Sequence, residues 1–304
     1  MTKRGIPIAK TKKPPLRTLA EKKINELEKY AIDSSIARKI GATLFQSSLY
    51  RHLSRKLREF RDYKLKEEVL QHSVPKHVAI IMDGNRRFAQ NLALSPEAGH
   101  IFGKEKLEDV LEWCLELKIE VLTVYAFSTE NFSRSTKEIQ TLMTLCKEEL
   151  DKAKNDSRIH KNNVRIRILG HLETLPLDIQ QSAQEIMDLT KDYTKYSFNI
   201  ALAYGGREEI LQAIQQIAHD VKENRLSIQD ISESTMSSYL YTNGLPDPDL
   251  ILRTSGEERI SNFLLWQLAY SELYFSDVYW PALQKRDFLK AIQTYQNRQR
   301  RYGT

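Results

Sequence analysis

The sequence predicts an α/β fold, a single domain with a central, mostly parallel six-stranded sheet flanked by helices and preceded by an N-terminal helical extension. Three observations carry this. Five short segments (78–82, 121–127, 164–170, 198–204 and 248–254) are apolar nearly throughout rather than alternating, which marks strands covered on both faces. The stretches between them have helical periodicity and the length that crossovers between parallel strands require. Polar clusters follow the first, second and fifth of these segments, and ligands of open parallel sheets bind beyond the carboxyl ends of the strands.

Residues 1–18, with KTKKPP inside, read as a mobile basic tail. From about 20 to 61 the pattern is helical. Phe45, Leu49, Leu53 and Leu57 recur every fourth residue, and Arg51, Arg55, Lys56 and Arg58 fall on other faces. Such a helix packs on the body or on a second subunit, or rests on an anionic membrane surface. After Pro75 comes the first strand, VAIIM, then a helix opening near Arg87 and another over 101–119. VLTVYAF is the second strand. Ser135 followed by Glu138 forms a capping box for a helix over 136–150. VRIRILG and FNIALAY are the third and fourth strands, and Gly205-Gly206 ends the latter before the helical REEILQAIQQIA. PDLILRT is the fifth, ELYF at 272–275 a short sixth, and 284–300 a closing helix. The expected division is therefore 1–73, a basic tail with an amphipathic helical extension, and 74–304, the catalytic body.

The 304 residues are 41% hydrophobic, enough for a sizeable core. Cys114 and Cys146 each lie in a helical apolar pattern, which suits packed thiols in a reducing compartment better than a disulfide. No apolar run approaches the roughly 18–20 residues of a membrane span, and the N-terminus lacks the apolar core of a signal peptide. The expected location is cytoplasmic, with peripheral seating at a membrane through the N-terminal helix as its extension. The net charge of +6 is uneven, because residues 1–73 hold 18 Lys and Arg against 8 Asp and Glu, leaving 28 against 32 for the rest. A body without basic excess or a recognised motif argues against nucleic acid as partner.

The clusters are MDGNRRF, STENFSR and RTSGEERIS. They send Asp83, Asn85, Arg86, Arg87, His100, Ser128, Glu130, Asn131, Arg134, Arg253, Arg259, Ser261 and Glu272 toward one edge. So many guanidinium forks require anions, and phosphate oxygens match them two at a time. Gly84 lets backbone approach the ligand, and the helix start near Arg87 offers free N–H groups. Asp83 and Glu272 suit Mg²⁺, which takes few carboxylates and keeps its waters. Familiar phosphate motifs are missing. GHIFGKE is one residue short of a Walker loop and lacks Ser or Thr after Lys, and no G-x-G-x-x-G, nucleophile elbow or H-E-x-x-H occurs. Nor does any Asp-Asp pair, which excludes the aspartate-rich metal cluster of the trans-prenyltransferases.

HVAIIMDGNRRFA, VYAFSTENFSR, NIALAYGGREEI, LILRTSGEERISNFLLWQ and AYSELYFSDVYWP together resemble the successive signature blocks of the cis-prenyltransferases, the undecaprenyl diphosphate synthase family. The resemblance runs from about 75 to 304 and is strongest to the archaeal branch. It implies an enzyme that condenses several isopentenyl diphosphates onto an allylic primer, geranylgeranyl or farnesyl diphosphate, to make a long-chain polyprenyl diphosphate, precursor of a glycosyl carrier lipid. It implies that Asp83 is the metal-linked catalytic carboxylate, with Glu272 contributing to the Mg²⁺ site. Gly84, Asn85, Arg86, Arg87 and Phe88, with His100 and Arg134, would hold the allylic diphosphate. Ser128, Thr129, Glu130 and Phe132 would surround the reacting carbons. Asn131 matches the residue assigned to proton removal, although a neutral amide is a poor base and more readily orients the group that takes the proton. Arg253, Arg259, Ile260 and Ser261 would bind isopentenyl diphosphate.

Two positions depart from the bacterial pattern: N-R-R stands where N-G-R is common, and Pro96 where an arginine is frequent. The terminal Arg301-Tyr302-Gly303 matches the R-x-G that reaches into a partner subunit, so the resemblance implies a homodimer. The alternative, a non-catalytic subunit of a heteromeric enzyme, is opposed by the presence of Asp83, Glu272 and R-x-G in one chain. Product growth requires an apolar tunnel, walled by the helices over 101–119 and 136–150 and the central strands, with Tyr196 near its floor.

Overall fold

The computed structural model describes residues 48–298. The basic tail, Phe45 and the terminal Arg301 and Gly303 lie outside the described residues. The chain divides into two compact units, Met1–Tyr63 and Lys64–Thr304. Helix α1 (Ser48–Leu70) spans that boundary and continues well past the expected end near 61, because Leu65 and Val69 supply apolar residues to the core of the second unit.

Six strands form one sheet: β1 (His77–Ile81), β2 (Val121–Ser128), β3 (Val164–Leu169), β4 (Tyr196–Tyr204), β5 (Leu250–Arg253) and β6 (Glu272–Phe275). Their order is β3-β4-β2-β1-β5-β6, and every pairing is parallel. The six expected strands are thus all present. β1 and β5 are buried at every position, as strands covered on both faces must be.

Side chains alternate across the pleat, so a single strand feeds two cores. Val78 and Ile80 join Leu122, Val124, Ile166 and Leu252 on one face. Helices α3 (Pro96–Leu117), α4 (Thr136–Ala153), α6 (Leu177–Thr190) and α9 (Lys285–Asn297) cover it with Val110, Met143, Ile186 and Phe288 among others. Ala79 and Ile81 look the other way, toward Tyr125, Tyr204, Phe263 and Leu264. The remaining helices are α2 (Asn85–Asn91), α5 (Ser157–Asn162), α7 (Gly206–Lys222) and α8 (Glu233–Ser238). α3 is started by Ser95, whose side chain accepts from the Ala98 N–H, and stopped by Lys118 in the left-handed region. Because all strands run the same way, their carboxyl ends gather Asp83, Ser128 and Arg253 at one rim, and their amino ends gather His77, Val121 and Tyr196 at the other.

A line of buried polar groups crosses the sheet near the amino ends. His77 Nδ1 lies 2.7 Å from the Pro246 carbonyl, which only accepts, so Nδ1 carries the proton. Nε2 therefore accepts from Thr123 Oγ1 at 2.8 Å. Asn199 Nδ2 donates to the same hydroxyl oxygen at 3.0 Å, and Ser197 Oγ donates to Asn199 Oδ1 at 2.9 Å. Every member is satisfied only while His77 is neutral.

Burial lowers the His77 pKa from 6.5 to about 4, against smaller upward pulls from the Pro246 hydrogen bond and Asp249. The unfolded chain therefore binds the proton more readily. The stability that neutral His77 confers is complete above the unfolded pKa and is lost as pH falls from 6.5 toward 4. Urea unfolding should show a His77-dependent loss of about 2 kcal/mol between pH 7 and about pH 5, because each tenfold difference in proton affinity between the two states is worth roughly 1.36 kcal/mol. A His77→Asn chain, less stable at neutral pH, should lack that component; equal pH slopes for the two chains would refute it.

Candidate active site

Beyond Ile81 the backbone turns sharply through Asp83 and Gly84. Gly84 has φ +106°, and a Cβ there would stand 2.8 Å from Tyr279 Cδ1, so only glycine fits without strain. The Thr254 hydroxyl pins the turn: it accepts from the Asp83 N–H at 3.0 Å and donates to the Asp83 carbonyl at 2.6 Å. The Asp83 carboxylate then faces two guanidinium groups, Arg253 Nη2 at 2.7 Å and Arg87 Nη2 at 3.2 Å. Partial burial pushes this carboxyl pKa up, but the Arg253 hydrogen bond and the charges of Arg253 and Arg87 outweigh it and hold it below the usual carboxylate range. Asp83 is an anion at neutral pH.

Arg253 is 4% exposed and acts as a strut as much as a surface cation. Its Nη1 donates to Ser261 Oγ at 2.8 Å and to the Arg259 carbonyl, tying β5 to the following loop. Its buried Nε–H has no partner among the described residues, a donor left over beside the basin. Arg87 also donates to Ser255 Oγ at 2.7 Å and pairs with Glu257 at 2.7 Å. Glu257 pairs with Arg259 as well, so one carboxylate bridges two of the basin's cations.

A second cationic group lies across the basin. Glu138, buried in the first turn of α4, accepts from Arg134 Nη1 at 2.9 Å and lies 3.3 Å from His100 Nε2 and 3.9 Å from Arg86 Nη1. The expected capping box is only half made. Ser135 Oγ accepts the Glu138 N–H at 3.3 Å, but the carboxylate turns away to the cations, which neutralise it at its buried position. Burial is the main cause that lowers the His100 pKa, with Arg134 and Arg86 adding to it and Glu138 opposing. The imidazole is neutral near pH 7, with the proton on Nε2 facing Glu138.

After β2 a short 3-10 turn (Thr129–Ser133) presents the remaining polar groups. Asn131 Oδ1 accepts the Ser128 N–H at 3.1 Å, which leaves its amide NH₂ for a ligand. Glu130 accepts from Asn262 at 3.0 Å. These groups line a polar basin of about 790 Å³ with Asp83, Gly84, Asn85, Arg86, Arg87, His100, Ser128, Arg134, Arg253, Arg259 and Ser261. Its inner wall is shared with an apolar cavity of about 330 Å³, the two meeting at Met82, Asn85, His100, Ala126 and Leu142. The cavity runs under α3 and α4 along the sheet to Ile119, Val164 and Tyr196. Cys114 and Cys146 lie in its wall as free thiols. Burial raises both thiol pKa values, Cys146 to about 12.

The other expected residues fall outside the basin lining. Phe88 meets Phe102 edge-on, with centroids 5.8 Å apart, and Phe132 meets Phe127 at 4.9 Å. Thr129 lies beside Gly205, and Ile260 is half-buried between Arg259 and Ser261. Glu272 needs correction. As the first residue of β6 it pairs in register with Leu250, while Arg253 pairs with Phe275, so it sits toward the amino ends and is ion-paired with Arg298 at 2.6 Å. Within one chain it does not join Asp83. α2 is also only seven residues long, so the guanidinium groups rather than a helix dipole supply most of the positive field. Thr254, Ser255, Glu257 and Asn262 are not singled out from sequence, and Glu138 is read there only as a helix cap; the i,i+4 spacing of Arg134 and Glu138 was the one available signal.

An anion basin opening directly onto an apolar cavity defines a protein that handles a phosphorylated head on an apolar chain. Comparison with known proteins makes the class specific. A family model described as putative undecaprenyl diphosphate synthase matches residues 81–303. Tritrans,polycis-undecaprenyl-diphosphate synthases (geranylgeranyl-diphosphate specific) of Thermoplasma acidophilum and Thermococcus kodakarensis are each 52% identical over 239 residues, 79% of this chain and 93% and 90% of theirs. Among solved structures, lavandulyl diphosphate synthase from Lavandula x intermedia, in complex with dimethylallyl diphosphate, is 34% identical with a TM-score of 0.73. It covers 76% of this chain and 99% of that one. A probable undecaprenyl diphosphate synthase from Campylobacter jejuni is 35% identical, TM-score 0.62, over 76% and 100%. The chain belongs to the undecaprenyl diphosphate synthase family, the cis-prenyltransferases, and lies nearest its archaeal branch.

Gly84→Ala should destabilise the chain by about 1–3 kcal/mol, from left-handed strain plus displacement of Tyr279. A urea midpoint equal to that of the unaltered protein would show that the turn is not constrained in this way.

Proposed function

We propose that this chain is a prenyl-group transferase that condenses several isopentenyl diphosphates onto an allylic diphosphate, making a long-chain polyprenyl diphosphate of the kind that carries glycosyl groups. The observation that carries this reading is the shared wall between the Asp83–arginine basin and the apolar cavity. A diphosphate head stays among charges while its hydrocarbon tail leaves water.

Arg86, Arg87 and Arg134 hold the allylic diphosphate; Arg253, Arg259 and Ser261 hold isopentenyl diphosphate. Binding draws Arg87 and Arg259 from Glu257, and Arg86 and Arg134 from Glu138, so each carboxylate keeps its cations aimed until substrate arrives. Asp83 fits a magnesium ion: it is ionised, partly exposed and aimed into the basin. Among the described residues no group of three His, Cys, Asp or Glu could hold a metal alone, which suits an ion that takes one carboxylate and completes its sphere with diphosphate oxygens and water. When bound, Mg²⁺ supplies charge neutralisation for the departing diphosphate. Glu272 of the same chain is not part of this set. Asn131 already commits its carbonyl oxygen to the Ser128 N–H, so it orients by donating, and a diphosphate oxygen or water takes the proton.

The archaeal relatives support geranylgeranyl diphosphate as primer over farnesyl diphosphate. The proposed assembly is a homodimer, with Arg301 and Gly303 reaching the second copy's isopentenyl diphosphate site. The proposed organisation is an N-terminal extension over 1–73 and a catalytic domain over 74–304. Among the described residues no helix is long and apolar enough to cross a membrane. The basic extension is proposed to seat the enzyme peripherally on a membrane that receives its product, with no nucleic-acid partner.

Purified protein incubated with labelled isopentenyl diphosphate, Mg²⁺ and either primer should yield long polyprenyl products, faster from geranylgeranyl diphosphate. Absence of product with both primers overturns the reading. Asp83→Ala should lower the rate by about 10³-fold, equivalent to roughly 4 kcal/mol of lost transition-state stabilisation; elongation at the parental rate would refute the role of Asp83. Tyr196→Ala, which opens the far end of the cavity, should lengthen the products, and an unchanged distribution would exclude Tyr196 as its floor.

A further inference from the structure

One wall of the apolar cavity is charged. Lys104, Glu108 and Glu112 lie one turn apart on α3 and line the cavity, and Glu149 of α4 and Arg158 of α5 line it from the opposite side. They pair across the gap, Lys104 Nζ with Glu149 Oε1 at 3.1 Å, and Arg158 with Glu108 Oε2 at 3.6 Å and Glu112 Oε1 at 3.3 Å. Arg158 is gripped more closely from behind, its Nη2 lying 2.7 Å from Asp156 Oδ2 and its Nε 3.1 Å from both oxygens. The two Arg158 pairs that span the gap, at 3.6 and 3.3 Å, are therefore longer than the Asp156 contacts that anchor it. Glu108, Glu112 and Arg158 are each about half exposed, from 45% to 59%.

A wall closed by apolar packing exposes apolar surface when it parts, and resists in proportion to that area. A wall closed by half-exposed ion pairs exchanges each partner for water at little cost, because such pairs are weak and screened. The cavity itself, at about 330 Å³, lies at the small end of the range that holds a drug-sized ligand. A tail of many isoprene units does not fit within it.

We infer that the ion-paired seam between α3 and α4–α5 is the exit through which the growing hydrocarbon tail leaves the cavity, and that the strength of its pairs sets how far products grow. This rests on the prenyl-transfer reading. Tyr196 lines the cavity from the amino end of β4, whereas the seam joins α3 to α4 and α5. An apolar chain passing between parted pairs meets the α3 and α4 side chains on one hand and water or a lipid surface on the other.

The test compares the unaltered protein with a Glu108→Gln, Glu112→Gln double variant, which keeps side-chain shape and removes the charges facing Arg158. Glu105→Gln serves as control, exposed on the same helix and absent from the cavity wall. Products from saturating isopentenyl diphosphate are sized by chromatography at about 0.1 M and about 1 M salt, between which the screening length falls from about 10 to about 3 Å. The double variant should make products longer by at least an isoprene unit, with lengths less sensitive to salt than those of the unaltered protein, because only the Lys104–Glu149 pair remains. The unaltered protein and Glu105→Gln should make shorter products that lengthen as salt rises. Equal or shorter products from the double variant, salt-independent lengths in the unaltered protein, or lengthening by Glu105→Gln overturns the seam. No product at all from the unaltered protein overturns prenyl transfer itself and takes the seam with it.

Discussion

The carboxylate of Asp83, clamped between Arg253 and Arg87, is the interaction on which the rest of the site depends. It joins the ends of β1 and β5, through Arg253 reaches the Ser261 loop, and through Arg87 reaches Ser255 and Glu257. Without that anion the nearly buried Arg253 would lack its principal counter-charge, and an unpaired charge at such a position is costly. The clamp also keeps Asp83 ionised. One pair thus serves both to hold the rim together and to present negative charge to the basin.

Each acid of the rim stands where an incoming anion would otherwise have to order loose cations. Glu257 holds Arg87 and Arg259, and Glu138 holds Arg134 with His100 and Arg86 close by. The cations are pre-arranged, so the proposed binding of a diphosphate would exchange partners instead of immobilising four long side chains from disorder. Asn131 follows the same pattern, its oxygen fixed by the backbone so that its donors alone face the basin.

The strands were legible because burial on both faces leaves little freedom in composition: HVAII and LILR contain almost nothing polar, and the observed ends differ from the expected ones by only a few residues. The basin was legible for a related reason, since strand direction delivers residues just after each strand to one rim. The same rule explains why Glu272 lies apart from Asp83. Glu272 opens its strand instead of following it, so a parallel pairing sets it beside Leu250, at the opposite end of β5 from Arg253. Glu138 and Glu257 were hidden because an acid near arginines reads equally as a cap, a surface pair or a site member, and only the fold decides. α1 outran its expected end because Leu65 and Val69 find a core that no local periodicity reveals.

The two thiols in the cavity wall carry a consequence of their own. An allylic diphosphate is an alkylating agent, and a thiolate is the protein nucleophile most able to intercept it. Burial in hydrocarbon surroundings keeps Cys114 and Cys146 protonated far above neutral pH. On the proposed reading, that cavity wall would pad an apolar chain with sulfur without capturing it, and a catalyst that handles reactive electrophiles turn after turn would be spared modification by its own substrate.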